Sequence, residues 1–186
     1  MSKILLVEDN PRYASSAEQY LASRSQAVAL ARDYSQAMYR LRNPNFDGVI
    51  TDCFFPETTD SGNIALGKEL VGRMAKPDDA LKERFKLIYG GDRAPKDYYS
   101  ALMKAMEESE ANQPLGLLVA ERADELSLPF ILATSTYHHD ILTQPVHDYA
   151  SVKGWTLVDC EPNRGDDKAS PEFWERVFSE LERKLR

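Results

Sequence analysis

The fold is decided by residues 47–56, which read Asp47-Gly48-Val49-Ile50-Thr51-Asp52-Cys53-Phe54-Phe55-Pro56. Residues 48–51 are small, apolar or β-branched, which predicts a short strand buried on both faces of a sheet. The run ends at Asp52, and Pro56 prevents a smooth continuation of the strand. The chain thus carries a carboxylate to the end of a buried strand, where open parallel sheets bind ligands. Taken alone, Asp52 fits a turn-capping residue about equally well.

A second apolar stretch near the start of the chain also ends in acids. Residues 4–7 read Ile-Leu-Leu-Val, and Glu8, Asp9 and Asn10 follow. Two parallel strands that end in this way can place Glu8, Asp9 and Asp52 at one edge of a sheet. Two unit charges about 4 Å apart repel by roughly 4 kcal/mol at an effective dielectric constant near 20, so such a cluster requires a cation. Carboxylate oxygens facing solvent suit Mg²⁺.

These two segments resemble the first and third strands of a response-regulator receiver domain. The acidic pair, the spacing to Asp52 and the proline four residues after Asp52 all match the receiver pattern. The resemblance implies that Asp52 is the phosphoacceptor. It also implies that Glu8, Asp9 and Asp52 hold Mg²⁺ together with the backbone carbonyl of Phe54.

Strand and helix patterns alternate along the rest of the chain. Strands are predicted at 4–7, 27–31, 48–51, 130–133 and 155–158, and helices at 12–23, 36–42 (capped by Ser35), 144–153 and after Ser170. The short β-α-β connections predict right-handed crossovers and a parallel sheet. The resemblance implies a doubly wound, flavodoxin-like α/β fold with strand order 2-1-3-4-5 and helices on both faces.

Two candidate helices, Asn63–Ala75 and Leu115–Leu126, precede the fourth predicted strand. We favour the second as the helix that packs on the sheet, because residues 127–129 connect it directly to that strand. Residues 57–113 then form a mainly helical insertion within a single domain spanning residues 1–186. Connections of this length usually carry structure or function of their own.

The later receiver motifs match only in part. Thr134 falls where a receiver carries a Thr or Ser whose hydroxyl bonds a phosphoryl oxygen. A receiver ends its fifth strand in Lys-Pro, and that lysine neutralises the phosphoryl group, whereas this chain has Glu161 before Pro162. The aromatic switch position of the family falls on Val158. A replacement positive charge would have to come from outside the motif, from Lys153, Arg164 or Lys168.

His138, His139 and Asp140 form a polar segment after the fourth strand. One histidine with Asp140 could bind a metal ion. Adjacent histidines are expected to point apart, however, so a polar loop or the start of a helix is the favoured interpretation.

Composition limits the functional classes. The chain has 186 residues, 42% hydrophobic and 28% charged, as expected for a soluble globular protein with its own core. The net charge of −7 argues against a nucleic-acid surface. No apolar run approaches the roughly 18 residues of a membrane span, and Met1 is followed at once by a strand, so neither a span nor a signal peptide is expected. Two cysteines, Cys53 and Cys160, form no disulfide framework and suit a reducing cytoplasm.

The sequence therefore favours a stand-alone, atypical response regulator. The expected partners are a histidine kinase or a phosphotransfer protein, and output is expected through protein contact because no output domain follows; homodimerisation stays open. One alternative is a receiver-like binding module that works without phosphorylation. Another is a metal-dependent phosphohydrolase, which fits less well because Phe54 stands where a second aspartate would be expected.

Overall fold

The computed structural model describes residues 1–59, 62–90, 96–162 and 167–186. Five parallel strands form one sheet in the order β2-β1-β3-β4-β5. The strands are β1 (Lys3–Val7), β2 (Ala27–Ala31), β3 (Gly48–Asp52), β4 (Phe130–Ala133) and β5 (Leu157–Val158). The predicted doubly wound order 2-1-3-4-5 is confirmed.

Eight α-helices are assigned within the described residues. They are α1 (Pro11–Ser23), α2 (Tyr34–Arg40), α3 (Ala65–Ala75), α4 (Asp79–Tyr89), α5 (Lys96–Glu108), α6 (Gly116–Glu125), α7 (Thr143–Lys153) and α8 (Pro171–Leu185). Two short 3-10 helices, Glu110–Asn112 and Asp167–Ala169, join them. No helix in the described ranges is both long enough and apolar enough to cross a membrane.

The sheet separates two apolar cores because successive strand residues point to opposite faces. Ile4 and Leu6 face one core, in which α1 and α8 supply side chains such as Leu21 and Trp174. Leu5 and Val7 face the other core, which is filled from α2, α3, α5, α6 and α7. All five residues of β3 are buried, as the apolar run predicted for a central strand covered on both sides.

The predicted bounds differ most from the structure in helix α2 and strand β5. Helix α2 begins at Tyr34 rather than Gln36, because the carboxylate of Asp33 is the N-cap and accepts a 2.7 Å hydrogen bond from the backbone N–H of Gln36. Strand β5 contains only Leu157 and Val158. Trp155, which was predicted to begin that strand, packs edge-on against the ring of Phe130.

Helix α6 leads into β4 and packs on both β3 and β4. The expectation that residues 115–126 form the packing helix is therefore confirmed. Between β3 and α6 the chain forms α3, α4 and α5, so the predicted helical character of residues 57–113 holds for the described part. Leu70 of α3 and Leu102 of α5 belong to the same core as α6. Helices α3 and α5 therefore share the core that lies on this face of the sheet.

The approach of α6 to β3 depends on Gly116. Its backbone N–H donates to the carbonyl of Cys53 at 3.1 Å, and a Cβ atom at this position would overlap the backbone carbonyl of Asp52. Gly72, in the interior of α3, has no atom within 4 Å of the corresponding Cβ position. The first glycine is thus required by a backbone contact, and the second is not.

We expect Gly116→Ala to lower the free energy of unfolding by about 2 to 3 kcal/mol, because the added methyl group would force the helix away from β3. The matched substitution Gly72→Ala should raise it by up to about 1 kcal/mol, since alanine is the better helix former. Urea unfolding of both variants measures these changes. Equal effects of the two substitutions would show that α6 does not make this close approach.

Candidate functional site

Three carboxylates meet at the carboxyl edge of the sheet. Glu8 and Asp9 follow β1, Asp52 ends β3, and the parallel pairing of Val7 with Thr51 makes the two strand ends neighbours. One carboxylate oxygen from each of Glu8, Asp9 and Asp52 lies within 4.8 Å of the other two. Glu8 is 1% exposed and Asp52 is 7% exposed. We refer to these three residues as the acid cluster.

A buried lysine enters the acid cluster from the 3-10 helix Asp167–Ala169. Lys168 is fully buried, and its Nζ lies 2.6 Å from Oε2 of Glu8 and 3.0 Å from Oδ1 of Asp52. The same ammonium donates to the backbone carbonyl of Ala133 at 3.4 Å and lies 5.4 Å from the ring centre of Tyr13. The carboxylates of β1 and β3 therefore share one buried cation.

Lys168 is one of the three basic residues considered as a source of the missing positive charge, and its ammonium lies in the acid cluster. Glu161 and Pro162 are exposed, so this carboxylate does not face the acid cluster. Of the three basic residues considered in its place, Lys153 lies near Glu121 and the ring of Trp155, and Arg164 is outside the described residues. Lys168 is seven residues beyond Glu161 and belongs to no predicted helix or strand, so hydrophobic periodicity gave no sign of its burial. The available signal was electrostatic: buried acids require a cation.

Burial sets the protonation behaviour of the cluster. It raises the pKa of Glu8, an effect that Lys168 opposes and Asp52 reinforces. Burial and the nearby charge of Asp52 raise the pKa of Asp9 to about 6. Although burial alone would lower the pKa of Lys168, the carboxylates of Asp52 and Glu8 outweigh it, and that pKa lies above its usual value. The ammonium is thus retained at neutral pH.

The individual oxygens of the cluster differ in their bonding. Oδ1 of Asp52 accepts a 2.6 Å hydrogen bond from the backbone N–H of Cys53 and also contacts Lys168. Oε1 of Glu8 accepts from the backbone N–H of Asn10 at 3.1 Å, while its Oε2 contacts Lys168. Both oxygens of Glu8 are therefore engaged within the protein.

Thr134 lies at the same edge of the sheet. Thr134 is buried and directly follows Ala133, the residue of β4 that pairs with Asp52. The backbone N–H of Thr134 donates to the carbonyl of Val158. Its hydroxyl is 2.9 Å from that of Thr136, which in turn bonds the hydroxyl of Thr143 at the start of α7. A chain of hydroxyl groups thus joins the edge next to Asp52 to α7.

The predicted His138–Asp140 segment forms a turn beside this edge. The rings of His138 and His139 lie 4.2 Å apart between centres, because the segment is a turn, whereas adjacent histidines point apart on a strand or a helix. Nδ1 of His138 lies 2.6 Å from Asp159, and Asp140 accepts from the backbone N–H of Tyr137. Among the described residues, only the acid cluster brings three possible metal-ligating side chains this close together.

Lys168→Met should lower the free energy of unfolding by about 2 to 4 kcal/mol in EDTA at neutral pH. The substitution preserves the approximate length of the side chain but leaves Glu8 and Asp52 buried without their cation. The matched control is Lys104→Met, because Lys104 pairs with Glu108 on the surface of α5 and is 77% exposed. Its effect should stay within about 0.5 kcal/mol. Similar losses for both variants in urea unfolding would argue against a structural role for the buried pair.

Asp9→Asn should have the opposite effect at about pH 7.5 in EDTA, a gain of about 1 to 2 kcal/mol after allowance for partial solvation. The raised pKa of Asp9 means that the folded state binds this proton more tightly than the unfolded chain does. The stabilising contribution of Asp9 is therefore complete below about pH 4 and is lost as pH rises through about 6. Unfolding of both proteins at pH 4 and 7.5 measures the difference. A gain of equal size at both values would contradict this origin.

Comparison with known proteins identifies similar folds among solved structures but no family. No family model and no curated protein matches the chain. Among solved structures, a fusion containing the yeast Spc42 trimeric coiled coil is similar at 16% identity with a TM-score of 0.51, covering 100% of this chain and 79% of that one.

Receiver domains are also among the similar structures. A Francisella response-regulator receiver domain is 11% identical with a TM-score of 0.49, covering 98% of each chain. A receiver domain from Methanospirillum hungatei is 14% identical with a TM-score of 0.48, covering 99% of this chain and 96% of that one. At these identities the similarity concerns the fold alone. Response-regulator receiver domains are thus among the solved structures that are similar to this chain.

Proposed function

We propose that the protein is an atypical receiver module that accepts a phosphoryl group on Asp52. The observation that carries this proposal is the position of Asp52. Its buried carboxylate ends the central strand, lies 3.0 Å from the ammonium of Lys168 and shares the sheet edge with two further carboxylates. Ligands of open parallel sheets bind at this edge.

The bonding of Asp52 supports different proposed roles for its two oxygens. Because Oδ1 is engaged by the N–H of Cys53 and by Lys168, Oδ2 is the oxygen proposed to attack. It forms a new bond to the phosphorus of a phosphohistidine or an acyl phosphate. The bond between phosphorus and the donor breaks, and its electron pair leaves with the donor group. Catalysis of such transfers rests mainly on positioning and electrostatic stabilisation.

Two residues of the chain would stabilise the charge that develops on the phosphoryl oxygens. Lys168 supplies a cation that is already positioned and desolvated, so no reorganisation is required when the charge develops. Thr134 supplies a hydroxyl donor from the end of β4. Its bond to Thr136 is the contact that would change if the hydroxyl turned toward a phosphoryl group.

The donor set fits Mg²⁺. Oxygen ligands from a few carboxylates are what this ion prefers, and the acid cluster keeps an excess of negative charge beside Lys168. Glu8, Asp9 and Asp52 would hold the ion with the backbone carbonyl of Phe54. Since both oxygens of Glu8 are already engaged, Asp9 and Asp52 would make the larger contribution. When bound, Mg²⁺ supplies further charge stabilisation to the phosphoryl oxygens.

The phosphoryl donor would be a histidine kinase or a phosphotransfer protein, in a cytoplasmic two-component system. We assign residues 57–113 as an insertion within one receiver-like domain that spans residues 1–186. Leu87 and Ile88 of α4 are exposed, and they supply apolar surface of the kind that protein contacts use. Output through contact with another protein, or with a second copy of this chain, is consistent with such a surface.

A binding module that works without phosphorylation is the second candidate. The observation that favours it is that Lys168 already contacts both Glu8 and Asp52, so these buried carboxylates are partnered in the absence of a phosphoryl group. Val158 also offers no aromatic ring for a switch on β5. A phosphohydrolase has less support, because Phe54 leaves no second aspartate beside Asp52.

Phosphorylation of Asp52 can be tested with acetyl phosphate and Mg²⁺, followed by mass spectrometry. Wild type should gain one phosphoryl group, and Asp52→Asn should gain none. Lys168→Met should be labelled about 100-fold more slowly, the order of loss seen when one preorganised donor is removed from a transition state. Glu161→Lys should be labelled at the wild-type rate, since Glu161 is exposed.

Two results would change this assignment. Absence of label in folded, Mg²⁺-bound wild type would favour the phosphorylation-independent module. Faster labelling of Glu161→Lys than of wild type would show that residue 161 reaches the phosphoryl group after all.

A further inference from the structure

Lys168 lies in a 3-10 helix that is too short to be stable without contacts to other elements. The 3-10 helix Asp167–Ala169 has three residues, and so short a helix has few internal hydrogen bonds. Its ammonium nevertheless lies at full burial, within 3.0 Å of two carboxylates. The position of Lys168 must therefore be set by contacts that its neighbours make with the rest of the fold.

Asp167 provides the first of these contacts. It is 7% exposed, and its Oδ2 accepts a 2.7 Å hydrogen bond from Nη2 of Arg176 on α8. The hydroxyl of Ser170 donates to Oδ1 at 3.3 Å, and the backbone N–H of Glu161 approaches Oδ2 at 3.5 Å. One carboxylate thus ties the 3-10 helix both to the segment after β5 and to α8.

Arg176 also links the 3-10 helix, the segment after β5 and α8. Its Nη2 also donates to the backbone carbonyl of Asp159 at 3.3 Å, directly after β5. Burial alone would raise the pKa of Asp167, but the hydrogen bond and charge of Arg176 hold that pKa below its usual value. The pair is consequently ionised at neutral pH and connects α8, the end of β5 and the 3-10 helix.

The other neighbour of Lys168 is fixed from the opposite side. The hydroxyl of Ser16, on α1, donates to the backbone carbonyl of Ala169 at 2.8 Å. Lys168 is therefore flanked by one residue bound to α8 and one residue bound to α1. These two helices cover the same face of the sheet, so the ammonium is directed toward the strand ends.

We propose that Asp167 and Arg176 are positioning residues for Lys168, supported by Ser16. Neither acts on the phosphoryl group; they hold the backbone on both sides of the lysine so that its ammonium stays in the acid cluster. The effect on phosphoryl transfer rests on the proposed function, whereas the positioning itself does not. Loss of the ion pair should let the 3-10 helix open locally while the sheet and its cores stay folded.

Chemical protection of Lys168 measures its position directly. Reductive methylation of folded protein, analysed by peptide mass spectrometry, should leave Lys168 unmodified in wild type because it is fully buried. Arg176→Ala and Asp167→Asn should each increase its methylation rate by about tenfold or more, as local opening exposes the amine. Arg176→Lys should be intermediate, because an ammonium keeps the charge but lacks the planar fork of the guanidinium.

Controls separate local opening from unfolding. Arg183→Ala removes a comparable arginine near the other end of α8, where Arg183 pairs with Glu180 at the surface, and should match wild type. Cys53 is buried in the core on the other face of the sheet, so its resistance to a thiol reagent reports an intact core in every variant. Ser16→Ala offers an independent route to the same opening if an Arg176 or Asp167 variant fails to fold.

The labelling rate of Asp52 by acetyl phosphate provides the second readout. It should fall about tenfold in Arg176→Ala and stay unchanged in Arg183→Ala. Continued protection of Lys168 in the folded Arg176→Ala and Asp167→Asn proteins would overturn the proposal. Exposure of Lys168 with an unchanged labelling rate would support the positioning role and would instead contradict the role of Lys168 in phosphoryl transfer.

Discussion

The ion pairs of Lys168 with Glu8 and Asp52 constrain the whole carboxyl edge of the sheet. Burying two carboxylates costs several kcal/mol per charge unless a cation and hydrogen bonds accompany them. One ammonium lies 2.6 Å from the first carboxylate and 3.0 Å from the second. The β1–β3 pairing, the 3-10 helix and the start of α8 must therefore be formed together for any of these charges to be accommodated.

The surrounding fold brings together groups that lie far apart in the sequence. Parallel pairing aligns the ends of β1, β3 and β4, so Glu8, Asp52 and Thr134 reach one edge from three separate segments. Gly116 lets α6 close one side of this edge by direct backbone contact with β3. On the opposite face, α1 and α8 hold the segment that carries the lysine. The carboxylate of Asp52 is thus positioned by regular elements, and the ammonium of Lys168 by a short 3-10 helix.

The difference between a carboxylate on a regular strand and a lysine in a short 3-10 helix explains what could be predicted from sequence. Asp52, Glu8 and Asp9 were found because each follows an apolar run, and strand ends are recognisable from that pattern alone. The strand order followed from the resemblance those residues carry. The start of α2 was misplaced because Asp33 and Ser35 are both acceptable caps, and only tertiary structure selects between them. Lys168 could be named only as one of three basic residues, since its burial depends on contacts with α1 and α8 that no local pattern records.

The ammonium in the acid cluster comes from Lys168, which lies several residues after β5. This distance changes what a sequence pattern for a buried strand-end carboxylate with a lysine partner should require. In this chain the residue before Pro162 is Glu161, whose side chain is exposed to solvent. The cation at this edge is Lys168, which follows an aspartate and lies just ahead of the Ser-Pro that begins the last helix. A pattern that demands Lys-Pro after the fifth strand will pass over such chains. A pattern written for the spatial neighbours of the strand-end aspartate will recover them.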